Sequence, residues 1–310
     1  IVSTRRELKA EPSRTDPVER RTLARVLSFR DLVLMITGTV IGSGIFLVPG
    51  AVLHPVGSSV PLAMAVWLLG GCVSLLGALT YGELTAMNPH AGGLYVFIRD
   101  AFGSSLAFLF GWTLFLVIST GSIATLAVAF SGYLGEFIPL RPGVSTLASL
   151  LMIAVIAGVN VRGTRGSADL QNVTTTIKVA AILLMGVVLL WFGHRTAFPP
   201  DSQHLSLGGR ASGFGLAMIS VLWAYEGWQY ATFSAGETVN PQRNFPLAFL
   251  AGTASLIGIY LFALHHLHLL ESLLKLRFLS AKHQQLLVYK MLVNGSETVQ
   301  QPVDVNLYAA

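Results

Sequence analysis

Apolar residues in this chain come in runs of roughly 20, the length an α-helix needs to cross about 30 Å of hydrocarbon, and short polar stretches carrying the charges separate them. The pattern predicts seven membrane spans, at about 31–53, 60–86, 104–132, 144–160, 172–193, 213–235 and 246–264. The connection 87–103, MNPHAGGLYVFIRDAFG, is amphipathic and is expected to lie at the membrane interface. The fold class is therefore an all-α polytopic membrane protein. Around it, residues 1–30 form a basic segment. Residues 265–310 read as an amphipathic helix with a disordered end, in which leucine pairs mix with Lys275, Arg277, Lys282 and Lys290.

Composition agrees: 11% of residues are charged, against about 25% in a soluble domain. Eight of the 20 Lys and Arg precede Asp31, which places the N-terminus in the cytoplasm. Arg99, Arg162, Arg165 and Arg243 then fall in loops expected on the same side. The loop 194–212, on the outer side, carries Arg195 and Arg210 against the rule. The net charge of +5 is spread between spans rather than gathered on one face, so nucleic acid is not an expected partner; membrane lipids are. Cys72 is the only cysteine, which excludes an internal disulfide and a CxxC metal site. His265, His266 and His268 cluster without a ligand spacing. No metal set, phosphate loop or nucleophile–base pair is present, so neither an enzyme nor a cofactor is expected. No short apolar core precedes Asp31, so no cleaved signal peptide is expected.

Two spans contain residues that weaken a helix. In TGTVIGSGIFLVPG (37–50), Gly42, Ser43 and Gly44 lie near the bilayer midplane, about 15–20 Å in at about 1.5 Å per residue. Unwinding there would free amide N–H groups at the start of the outer half-helix and make a site for a carboxylate. The alternative is a packing seam, because Gly38, Gly42 and Gly50 recur at helical spacing. In GFGLAMISVLWAYEGWQYATFSAGE the interruption is Glu226-Gly227, and a carboxylate inside a span is a functional hypothesis by default. The two interrupted spans are the first and sixth, which fits an inverted repeat of five helices with a site at their interface.

GTVIGSGIFLVPG, YGELTAMNPHAGGLYVFIRDAFG and WAYEGWQYATFSAGETVNPQRNFPLA together resemble the signature regions of the amino acid–polyamine–organocation superfamily. Among its members, the bacterial amino acid permeases and L-type exchangers are the most similar. The resemblance covers about residues 28–264 and implies a leucine-transporter-like inverted-repeat fold with substrate at mid-membrane. It implies that Ser43, Gly44 and Ile45 hold a substrate carboxylate through their amides, with Gly42 also in the substrate site and Thr39 and Ile41 just before the break. Trp223 matches an aromatic gate, and Ala224, Tyr225, Glu226 and Gly227 match the segment receiving the amino group. An acidic residue at 226 hints at cationic side chains, or equally at a gating or proton-linked carboxylate. Lys178 matches a lysine that stands in for a sodium ion and is a candidate proton carrier; the alternative is a lysine reaching to the headgroups.

The resemblance thus implies an amino acid substrate, moved by alternating access in a sodium-independent transporter, proton-coupled or exchanging, in the cell membrane, as in a bacterial inner membrane. Relatives continue through further helices, so a C-terminally truncated chain is expected, and the alternative function is binding without transport. The loop GYLGEFIPLRPG lacks the cysteine by which exchangers link to a glycoprotein heavy chain, so no such partner is expected. Glu83 and Glu237 are expected to pair with Arg99 or Arg243, and Pro241 and Pro246 to end helices.

Overall fold

The first membrane helix starts at a capping box. The Asp31 carboxylate accepts from the Ser28 N–H (2.8 Å) and hydroxyl (2.7 Å), and the Ser28 hydroxyl accepts the Asp31 N–H. Such reciprocal bonds satisfy amides that a helix start leaves free. The computed structural model describes residues 23–53, 55–57, 59–192 and 207–274. Among them every regular element is helical, apart from one isolated bridge between Leu27 and Thr238.

From the box, α1 runs over Phe29–Val40 and α2 over Gly44–Leu53, with a 50° bend between them. Next, α3 (Val60–Met87) begins at Ser59, whose hydroxyl accepts the Leu62 N–H. The interfacial stretch folds as α4 (Leu94–Phe102), bounded by Gly93 and Gly103, both at positive φ. The third apolar run is α5 (Ser104–Thr113), a π-helical turn (Leu114–Ser119) and α6 (Thr120–Phe137) in succession. There the Thr120 hydroxyl donates to the Phe115 carbonyl, five residues back. Then come α7 (Pro142–Val161), α8 (Thr164–Phe192), α9 (Leu207–Ala224), a 3-10 segment (Trp228–Glu237) and α10 (Pro241–Leu274).

Five of these helical runs are long and apolar enough to cross a membrane, and the bent α1–α2 pair makes a sixth. The expected span 213–235 is divided between α9 and the 3-10 segment. The helix expected from 172 begins at Thr164, because Gly163 at positive φ makes the turn from α7 tight. α10 continues ten residues past the expected end at 264, to Leu274, and the rest of the tail lies outside the described residues. Pro241 and Pro246 do not end helices. Pro241 opens α10, and Pro246 sits inside it, facing α3 at Gly82, where an added Cβ would lie 3.1 Å from the proline Cα.

The core is built by α10 against α3, α1 and α8, and holds Leu32, Ile36, Trp67, Phe245, Phe249, Leu256 and Tyr260. By contrast α6 and α7 pair mainly with each other, joined by Ser145 to Ser131 (3.0 Å) and Ser149 to the Ala127 carbonyl (3.0 Å). Their outer faces, including Leu126, Leu147 and Leu151, are exposed and apolar, which in hydrocarbon is the favourable state.

At one end the chain is tied shut. The Val26 and Leu27 N–H groups donate to the Glu237 carbonyl at 2.8 and 3.0 Å, and the Val239 N–H returns to the Leu27 carbonyl at 2.9 Å. Asp31 is buried and also receives Arg165 (3.0 and 3.3 Å) and the Asn172 amide (2.6 Å). Arg165 additionally pairs with Asp169. Glu237 accepts the Thr164 hydroxyl at 2.7 Å and Arg99 pairs with its neighbour Asp100, so the ion pairs expected of Glu83 and Glu237 are not the ones formed.

Removing one member of a buried ion pair costs about 3–5 kcal/mol, less where the partner is half in solvent as Arg165 is. Asp31→Ala is expected to lower stability by about 1–3 kcal/mol and Asp31→Asn by less. Thermal unfolding in detergent checks the order.

Candidate functional site: two broken helices in contact

Helix α1 stops because Ile41 turns to an extended backbone (φ −70°, ψ 100°). Its N–H still reaches the Thr37 carbonyl (3.0 Å), and the next helical bonds are those of Phe46 and Leu47 to the Ser43 carbonyl. Between these turns Gly42, Ser43 and Gly44 offer amide N–H groups at a helix start, where no intrahelical partner exists. Thr39, Gly42 and Ser43 are exposed and Gly44 is half-buried. The side chains of Ile41 and Ile45 point the other way, into the core. The Thr39 hydroxyl is spent on the Met35 and Ile36 carbonyls.

The same break also leaves carbonyls without helical partners, and these are gathered from two sides. From α8, the Lys178 ammonium donates to Gly38 O at 2.8 Å and Ile41 O at 2.9 Å. From α10, the fully buried Tyr260 hydroxyl lies 3.2 Å from Val40 O. A cation suits this place, since the carbonyl end of a helix carries partial negative charge.

The second break follows α9. Tyr225 and Glu226 still donate, to the Val221 and Trp223 carbonyls, and Gly227 then takes φ 127°. Side chains other than glycine rarely adopt that conformation. The Gln229 side chain spans the gap: its oxygen accepts the Gly227 N–H (3.0 Å) and its NH2 donates to the Glu226 carboxylate (3.1 Å). Glu226 is exposed, and among the described residues no cation pairs with it.

The two breaks touch. A Cβ placed on Gly227 would lie 2.9 Å from the Thr39 carbonyl oxygen, and one on Gly44 would lie 3.6 Å from the Ala224 Cβ. Tyr260 joins them chemically, since its hydroxyl is also 3.2 Å from Ala224 O. One hydroxyl hydrogen is thus shared by the carbonyl ends of both helices.

Of the residues singled out in the sequence, Thr39, Gly42, Ser43, Gly44, Ala224, Glu226 and Gly227 lie at this junction, and Lys178 adjoins it. Tyr225 points away, into an aromatic cluster with Trp67 (5.8 Å between ring centroids) and Tyr260 (5.0 Å). Trp223, in α9's last turn next to Ala224, is 63% exposed. Sequence reasoning missed Tyr260 and Gln229. The available signal for Tyr260 was a hydroxyl within the apolar run GIYLFA, since a buried tyrosine O–H usually finds a partner.

The arrangement defines a class: a polytopic helical membrane protein whose two broken helices meet within the bundle and present donors and acceptors there. The family model described as amino acid permease matches residues 27–276, and the chain belongs to that family, within the amino acid–polyamine–organocation superfamily. It is 32% identical over 228 residues to the serine/threonine exchanger SteT of Bacillus subtilis (strain 168), covering 74% of this chain and 51% of that protein. It is 34% identical over 257 residues to the b(0,+)-type amino acid transporter 1 of Rattus norvegicus, covering 80% and 52%. It is 34% identical over 245 residues to the large neutral amino acids transporter small subunit 2 of Rattus norvegicus, covering 74% and 44%. The chain thus spans about half the length of these relatives, which are transporters and not enzymes.

Tyr260→Phe keeps the ring and removes only the bridge. The expected loss is about 1 kcal/mol of stability, typical of one neutral hydrogen bond. Amide exchange should quicken at residues 41–44 and 224–227 and stay unchanged in α6 and α7.

Proposed function

We propose that this chain forms the substrate-gripping half of a secondary amino acid transporter that works by alternating access. The observation that carries the reading is the contact between the breaks, Gly227 against the Thr39 carbonyl and Gly44 against Ala224. In this reading the amides of Gly42, Ser43 and Gly44 hold the substrate carboxylate. The exposed Glu226 and the backbone around Ala224 and Gly227 receive its ammonium. Ile41, Ile45 and Tyr225 act through their backbone, because their side chains serve the core. Trp223 closes over the site as an aromatic gate. Relatives named as an exchanger and as amino acid transporters support exchange of amino acids.

Lys178 supports sodium independence. Its ammonium already fills the carbonyl set of the first break, the kind of oxygen cluster a bound sodium would need. The basic end formed by Arg25, Arg30, Arg162, Arg165 and Arg243 faces the cytoplasm in this reading, in a cell membrane. The single Cys72 lies in α3, so we read no disulfide-linked heavy chain.

A second reading is substrate binding without transport. Purified protein in liposomes separates the two: uptake of labelled serine or alanine supports transport, and binding without uptake supports the second. Lys178→Ala is expected to abolish pH-dependent uptake; unchanged pH dependence removes Lys178 from the coupling. Glu226→Gln is expected to weaken lysine or arginine binding about tenfold, as loss of one charge-assisted hydrogen bond implies. Serine binding should fall to a similar extent, and a loss confined to lysine and arginine would assign Glu226 to their side chains instead of the shared ammonium.

A further inference from the structure

Four arginines at one end of the bundle are exposed and make no side-chain hydrogen bond or ion pair among the described residues: Arg25, Arg30, Arg162 and Arg243. They belong to three elements that the structure pins together. Arg25 and Arg30 flank the strap that bridges Leu27 to Thr238. Arg162 caps α7 three residues before Arg165, which reaches both Asp31 and the Val26 carbonyl. Arg243 lies in the first turn of α10, five residues past Thr238. The neighbouring carboxylates are already engaged: Asp31 and Asp169 by Arg165, Asp100 by Arg99, and Glu237 by Thr164. Glu83, exposed near the end of α3, is the exception.

Apolar side chains are set between these arginines. Leu23, Val26, Phe29, Val161 and Val239 are all exposed at the same end. In water such a rim would be costly. At the edge of a bilayer the apolar groups enter the acyl region while the guanidinium groups stay at phosphate depth.

We propose that this rim binds the phosphate headgroup of an anionic phospholipid. A guanidinium offers a planar pair of donors that matches two phosphate oxygens, and the four leave a positive charge that no ion pair among the described residues neutralises. The apolar rim selects a lipid over a free phosphate, which gives Leu23, Val26 and Phe29 nothing to contact. It also disfavours nucleic acid, whose backbone carries no acyl chain.

The test uses the full chain purified in a neutral detergent, titrated with short-chain phosphatidylglycerol, short-chain phosphatidylcholine and glycerol 3-phosphate. Phosphatidylglycerol should bind most tightly, in a salt-dependent manner, and glycerol 3-phosphate should not displace it. Arg25→Gln, Arg30→Gln, Arg162→Gln and Arg243→Gln should each weaken it by about fivefold, the effect of one basic residue at an anionic surface. Arginine-to-lysine variants should recover only the part of the loss that charge alone supplies. Arg141→Gln, at the opposite end, should change nothing. Equal binding of the two lipids, or displacement by glycerol 3-phosphate, overturns the proposal. So does undiminished binding by the glutamine variants that still unfold at the parental temperature. Since the readout is lipid binding, failure here leaves the transporter reading untouched, and the converse holds.

Discussion

Hydrocarbon provides no hydrogen-bond partner, so a helix can stop inside a membrane only where protein or water completes its backbone. The three residues between α1 and α2 put that constraint on the whole bundle. Carbonyls released there must be met from outside the helix, and three of them are: Gly38 and Ile41 by Lys178 of α8, Val40 by Tyr260 of α10. Both donors come from helices that pack directly on α1. The dense part of the bundle is therefore the part that the break requires, and α6–α7, which serves no break, remains loosely attached and apolar outward.

The two breaks differ in what they have left over. At the first, the carbonyls of Gly38, Val40 and Ile41 are consumed and the amides of 42–44 remain. At the second, the Gly227 amide is consumed by Gln229, one carbonyl is shared with Tyr260, and the Glu226 carboxylate remains. Donors without partners thus face an acceptor without a cation across a contact of glycine on backbone. That polarity is what an amino acid zwitterion matches, and it is why the proposed reading assigns carboxylate and ammonium in that order. A packing seam of Gly38, Gly42 and Gly50, the competing reading, fits Gly38, which packs closely on Thr175 and Gln171, but nothing lies within 4 Å of a Cβ placed on Gly42, and a seam explains neither the 50° bend nor a lysine placed on main-chain oxygens.

Much of this was legible in the sequence, for identifiable reasons. Run length reveals apolar helices, since the bilayer fixes their length, and Gly42-Ser43-Gly44 and Glu226-Gly227 stand out as residues that such a run does not tolerate casually. Boundaries were less legible. The turn at Gly163 and the entry of Pro246 into α10 depend on what packs nearby, and hydropathy does not record that. Side-chain direction was the least legible. Nothing in WAYEG says that Tyr225 turns into the core while Glu226 turns out; the choice follows from Trp67 and Tyr260, which lie far away in sequence. Glu237 meeting Thr164 rather than an arginine is a tertiary fact of the same kind.

Tyr260 shows how such a site can be firm and still change. Its hydroxyl holds one hydrogen and faces two carbonyls at equal distance, 3.2 Å each. A donor split in this way binds neither acceptor at full strength, so moving one broken end away strengthens its bond to the other and partly offsets the loss. Lys178, with three hydrogens for two carbonyls on α1 alone, has no such latitude and ties that helix to α8. The half-helix before the first break is therefore held from α8, while its relation to the second break rests on a shared proton and on glycine contacts. Of the two attachments, the one between the breaks is the cheaper to alter, and it is there that a substrate's charges would tell most.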